Sequence, residues 1–198
     1  MFGKRSFKEK QDDLVKEHVK GDFATLNPKN ADPDYVWDNW VTPLTEYAAP
    51  ITSFENYLTE KIRASKEKIR VLDIGIGGGS QWKDFVKEND FEFWGTALSE
   101  TFEPSLKGKV KICRASELHS FFKENYFDVI VSSFGMHDEE LVGIENAVYL
   151  LKPGREAFFK METALRSFEA RDHYDLLAEE ALFENGKQFG VAIRIKKH

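Results

Sequence analysis

Val71-Leu72-Asp73-Ile74-Gly75-Ile76-Gly77-Gly78-Gly79-Ser80 decides how the rest of the chain is read. Residues 69–74 form an apolar run broken only by Arg70 and Asp73, the pattern of a buried strand, and the run ends in four glycines within five residues. Glycine is the residue that takes positive φ without strain and lets a ligand lie against the main chain. Residues 80–89 then place Trp82, Phe85 and Val86 at i, i+3 and i+4, the spacing of one helix face, and the first turn of a helix presents N–H groups without partners. Strand, glycine loop and helix in that order make a cradle for a nucleotide-type ligand.

The glycine spacing narrows the ligand. A dinucleotide fingerprint has the form G-x-G-x-x-G, followed about twenty residues on by an acid for the ribose. Here the glycines are Gly75, Gly77 and Gly79, Ser80 takes the third fingerprint position, and no Walker lysine follows. A nicotinamide-dependent oxidoreductase is disfavoured by Ser80 in place of the third glycine and by the absence of a ribose acid after the second strand, where Ala97 stands.

Downstream, strand and helix patterns alternate, which implies a parallel sheet covered on both faces. Strands are expected over 91–98, 110–113, 127–131, 156–161 and 190–195, and helices over 116–124, 138–151 and 165–184. The connection 99–109 contains Pro104 and is too short for a crossover helix, so an irregular link is expected there. Upstream, Ser6 with Glu9 and Thr52 with Glu55 each form a capping-box pattern. The first opens a helix over 6–21. The second opens one carrying Phe54, Tyr57, Leu58 and Ile62 at helical spacing, which should pack on the sheet. Between them Tyr35, Trp37 and Trp40 form an aromatic-dense segment that either roofs a ligand or pins the extension to the domain. The expected organisation is an N-terminal helical extension over 1–50 and an α/β domain over 51–198.

Composition removes several classes. The 198 residues are 41% hydrophobic and 14% aromatic, enough for one globular core. A net charge of −6 argues against a nucleic-acid partner, whose phosphates call for a basic stripe. Cys113 is the sole cysteine, which excludes an intrachain disulfide and any multi-thiolate metal site. No run approaches the ~20 apolar residues of a membrane span, and Met1-Phe2-Gly3-Lys4-Arg5 lacks the apolar core of a signal peptide, so a cytoplasmic protein is expected.

Three segments in order resemble the class I S-adenosylmethionine-dependent methyltransferases. Leu72-Asp73-Ile74-Gly75-Ile76-Gly77-Gly78-Gly79 is similar to that family's first motif. Phe127-Asp128-Val129-Ile130-Val131-Ser132-Ser133-Phe134-Gly135-Met136-His137 is similar to its fourth-strand motif, and Leu150-Leu151-Lys152-Pro153-Gly154 to the turn before its fifth strand. The resemblance covers residues 69–161. It implies a Rossmann-like, doubly wound, mostly parallel α/β sheet that binds S-adenosylmethionine across the carboxyl ends of its strands. Carried over by position, Gly75, Ile76, Gly77 and Gly79 shape the loop around the methionine and ribose, and Asp73 faces the ammonium group through water, with a capping role toward the loop N–H groups as its structural alternative. Ala97, Leu98 and Ser99 lie at the ribose, Arg114, Ala115 and Ser116 at the adenine, and Ser132 at the end of the fourth strand.

This chain departs from the family pattern at two acidic positions. Ala97 stands where an acid commonly binds both ribose hydroxyls, leaving Ser99 or Glu100 as candidates. Arg114 stands where an aspartate often receives the adenine amino group, leaving backbone groups of Ala115 and Ser116 for that task. At its end the family sheet has a two-stranded hairpin, whereas a single strand, 190–195, is evident here. Ala181-Leu182-Phe183, turning through Glu184-Asn185-Gly186, supplies a short partner, or the truncated edge is covered by a second copy in a homodimer.

Methyl transfer needs an aligned nucleophile and in some cases a base. His137, just past the fourth strand, is the candidate base, with Asp138 capping the next helix as the structural alternative. Five histidines without ligand-pair spacing indicate no metal, and no G-x-S-x-G elbow is present. The reading is a methyltransferase for a small-molecule acceptor. Its rival is a non-catalytic S-adenosylmethionine-binding or scaffold protein with the same fold.

Overall fold

The computed structural model describes residues 54–136, 139–161, 173–184 and 187–198. The helix expected over 6–21, the aromatic segment of Tyr35, Trp37 and Trp40, the first part of the helix expected over 165–184, and His137 with Asp138 lie outside the described residues.

Helix α1 (Phe54–Ala64) precedes strand β1 (Arg70–Asp73), helix α2 (Ser80–Glu88), strands β2 (Glu92–Ala97) and β3 (Val110–Ile112), and a single turn, α3 (Leu118–Phe121). Strand β4 (Phe127–Ser133), helix α4 (Glu140–Leu150) and strands β5 (Leu151–Met161), β6 (Tyr174–Glu184) and β7 (Lys187–Lys197) complete the order. One seven-stranded sheet runs β3-β2-β1-β4-β5-β7-β6. Strands β1 to β5 are mutually parallel and β7 is antiparallel to both its neighbours. The expected doubly wound, mostly parallel architecture is therefore present. Connection 99–109 is irregular as expected, holding only a 3-10 turn at Pro104–Leu106.

Strand alternation divides the core into two halves. Leu72, Ile130, Ala157 and Phe159 point to the face covered by Ile144, Ala147 and Val148 of α4. Val71, Val129, Val131 and Phe158 point to the opposite face, under Phe54 and Leu58 of α1 and Trp82 and Phe85 of α2. Helix α1 does pack on the sheet: the Phe54 and Tyr57 rings lie 5.6 and 4.9 Å from Phe158.

One expected element is corrected. Over its described part, the segment 165–184 is strand rather than helix, since β6 pairs with β7 from Tyr174↔Lys197 to Glu184↔Lys187. Without β6 the long strand β7 would leave its outer edge unpaired, and the ladder outweighs the helix preference of leucine, alanine and glutamate. Register shifts between Leu176 and Ala178 and between Leu182 and Phe183 break the period of two that would have marked the strand. The hairpin is thus complete within the chain, and the truncated edge that suggested a second copy does not form.

Among the described residues no helix is long and apolar enough to cross a membrane.

Candidate functional site

Strand β1 lies between β2 and β4, where the connections leave the sheet in opposite directions, and such a switch point opens a crevice at the carboxyl ends of the strands. The glycine loop is sewn into both neighbours. On the β2 side, Gly75 N–H donates to Thr96 Oγ1 at 3.0 Å and Ile76 N–H to the Thr96 carbonyl at 2.9 Å. On the β4 side, Ile74 N–H donates to the Val131 carbonyl at 2.8 Å and Ser132 Oγ to the Ile74 carbonyl at 2.8 Å. Gly75, Gly77 and Gly79 all have positive φ, which explains glycine at each.

The crevice is lined by Ile74 and Gly75 after β1, Thr96, Ala97 and Leu98 at the end of β2, and Cys113, Arg114 and Ala115 after β3. Gly135, Met136 and Glu139 after β4 close it. Of the residues singled out in the sequence, Gly75, Ala97, Leu98, Arg114 and Ala115 meet here. Ile76 is instead buried in the core half under α2, its side chain against Gly95 and Gly79. Ser132 is fully buried, its hydroxyl held by the Ile74 carbonyl, so it braces β1 against β4 and does not line the crevice. Ser99 shares its hydroxyl with Thr101 at 2.7 Å. Of the adenine candidates, Ser116 N–H donates to Glu139 Oε2 at 2.9 Å and the Ala115 carbonyl accepts from Asn146 Nδ2 at 2.9 Å.

Glu139 is the residue that sequence reading missed. It follows His137 and Asp138 in an acidic run that reads as the charged first turn of a helix, yet it is only 3% exposed. Its Oε2 holds Ser116, while its Oε1 is buried with no hydrogen-bond partner. The nearest cation, Arg114 Nη1, stands 4.0 Å away.

Asp73 is 2% exposed and accepts a 2.5 Å bond from Trp82 Nε1, which ties β1 to α2 beneath the glycine loop. Burial pushes its carboxyl up to about 7, against the opposing effect of the indole N–H. The folded state therefore binds this proton more tightly than the unfolded chain, and stability falls as pH rises from about 4 to about 7. Asp73→Asn keeps an acceptor for the indole and is expected to flatten that slope, as read from urea midpoints at pH 5 and 8. An undiminished slope in the variant would show that Asp73 is not its source.

No protein-family model matches the chain, and neither does any curated protein. Solved structures do match. An rRNA methylase from Streptococcus thermophilus superposes with a TM-score of 0.54 at 12% identity, over 72% of this chain and 93% of its own. A Streptococcus mutans protein in complex with SAH gives 0.52 at 12%, over 73% and 94%. The fold is that of the class I methyltransferases. The same methyltransferase fold is found in the cyclase SpnF, with a TM-score of 0.52 at 12% identity over 72% of this chain and 79% of that one. Membership of the fold thus leaves the chemistry to be argued from the site.

The residues present fit an adenosyl group. Ile74, Ala97, Leu98 and Met136 offer apolar walls for a flat ring, and Glu139 offers an orphaned buried oxygen that calls for a donor. Among the described residues no three metal-ligating side chains converge.

Proposed function

We propose that the chain is a cytoplasmic S-adenosylmethionine-dependent methyltransferase acting on a small-molecule acceptor. The observation that carries this reading is the crevice at the switch point of a methyltransferase-type sheet, lined by Gly75 at the start of the glycine loop and by apolar side chains. When bound, the sulfonium supplies an activated methyl group, so the protein's task is to hold donor and acceptor in line. Gly75 and Gly77 give the main chain its close approach, Ala97 and Leu98 flank the ribose, and Arg114 and Ala115 flank the adenine. Asp73 supports the loop through Trp82, and a role toward the ammonium group rests on its position in the motif alone. His137 is the proposed base. A net charge of −6 favours a small acceptor over a nucleic acid.

The rival, a non-catalytic ligand-binding protein, draws on the two missing acids: Ala97 offers no carboxylate to the ribose, and Arg114 replaces the other. Calorimetric titration with S-adenosylmethionine, S-adenosylhomocysteine and oxidised nicotinamide dinucleotide separates the classes. Binding of the first two and not the third is expected, lost in Gly77→Arg, which puts a bulky side chain on a backbone with φ of 56° inside the loop. Preference for the dinucleotide, or binding of none, would sink the reading. Binding of S-adenosylmethionine with no methyl transfer to any small molecule or RNA offered would favour the rival.

A further inference from the structure

We propose that Glu139 is the residue that selects the purine of the bound nucleoside, and that it selects adenine. This rests on the adenosyl-ligand reading given above. Glu139 lines the crevice, is 3% exposed, and leaves Oε1 buried without a hydrogen bond. A buried carboxylate oxygen without a donor is costly, and such groups persist where something else satisfies them. Arg114 does not: at 4.0 Å its Nη1 is beyond hydrogen-bond reach, and it stands at the mouth as a distant counter-charge.

The other oxygen fixes what can bind. Oε2 is held by Ser116 N–H at 2.9 Å, so Glu139 presents one acceptor to the crevice rather than two. That disfavours guanine, whose N1–H and amino group together suit a two-oxygen carboxylate. Beside it, Ala115 opens the 3-10 turn Ala115–Glu117, and its N–H has no partner within that turn. One acceptor next to one donor complements the adenine edge, where the amino group donates and N1 accepts. Hypoxanthine held in the same place inverts both contacts: its carbonyl oxygen meets Oε1 and its N1–H meets Ala115 N–H.

Replacing Glu139 by glutamine reverses half of that pattern. The amide carbonyl still receives Ser116 N–H, which turns the NH2 toward the crevice as a donor that suits a carbonyl and not an amine. The experiment is calorimetric titration of the full chain and of Glu139→Gln with S-adenosylhomocysteine and its deaminated analogue, S-inosylhomocysteine. The parent is expected to favour the adenosyl ligand by about tenfold or more, as sites built to pair a specific polar group do. In Glu139→Gln the preference should disappear or invert, with a thermal melt showing that the variant is folded. A parent that binds both ligands equally, or a variant that keeps the parental ratio, overturns the role of Glu139 and leaves the methyltransferase reading intact. A parent that binds neither ligand overturns both. If the variant fails to fold, equal binding of the two ligands by the parent still overturns the proposal.

Discussion

Gly135→Ala is expected to destabilise the protein by at least the upper end of the ~1–3 kcal/mol range of overpacked cores, and to abolish ligand binding at concentrations where the parent binds. A Cβ at this position would sit 2.1 Å from the Ile74 carbonyl oxygen and 2.7 Å from Gly75 Cα. Both are main-chain atoms, so no side chain can rotate out of the way. The converse holds at Gly75, where a Cβ would lie 2.4 Å from Gly135 Cα. The loops after β1 and β4 therefore touch backbone to backbone, and that contact sets the floor of the crevice. Gly78→Ala is the control: its Cβ meets nothing within 4 Å, and the change should move stability by no more than about 1 kcal/mol. Denaturant unfolding of the two variants gives the comparison. Equal midpoints would mean that the two loops are not locked together.

Much of this was legible in the chain because the signals are local. The apolar run before Gly75, the helical spacing of Trp82 and Phe85, and the turn at Lys152-Pro153-Gly154 each depend on neighbours in sequence. The glycines were legible as a loop. The partner of Gly75 was not, because Gly135 lies sixty residues away and reads in isolation as one more turn. Residues 173–184 were misread for a related reason: their strand state comes from β7, and the register shifts around Leu177 erase the alternation that would have betrayed it. Glu139 was hidden by burial. An acid beside other acids reads as solvated, whereas the fold buries Glu139 in the crevice beside Met136 and Ala115. The same limit applied to Ser132 and Asp73: only the fold shows their side chains bonded to the Ile74 carbonyl and to the Trp82 indole.

Trp82→Ala should have the larger effect, a loss of about 3–5 kcal/mol from the cavity alone. The side chain is fully buried, with its ring 4.4 Å from Phe93, 6.1 Å from Phe85 and 6.5 Å from Phe54, so its removal opens the core half beneath α1 and α2. Against a total stability of about 5–15 kcal/mol for an ordinary domain, that brings the protein close to unfolding. Trp82→Phe separates packing from hydrogen bonding. It keeps most of the volume but strips Asp73 of its indole donor, which is the contribution that favours the ionised carboxyl. The carboxyl then moves further up from about 7, so the variant loses little where Asp73 is protonated and more where it is charged. Its deficit relative to the parent should therefore be larger at pH 9 than at pH 5. Adding Asp73→Asn to Trp82→Phe should erase that difference, since a neutral amide has no charge to strand. A deficit of the same size at both pH values in Trp82→Phe would show that the indole serves the core only by filling it. The glycine loop would then owe its position to packing, not to the Asp73–Trp82 bond beneath it.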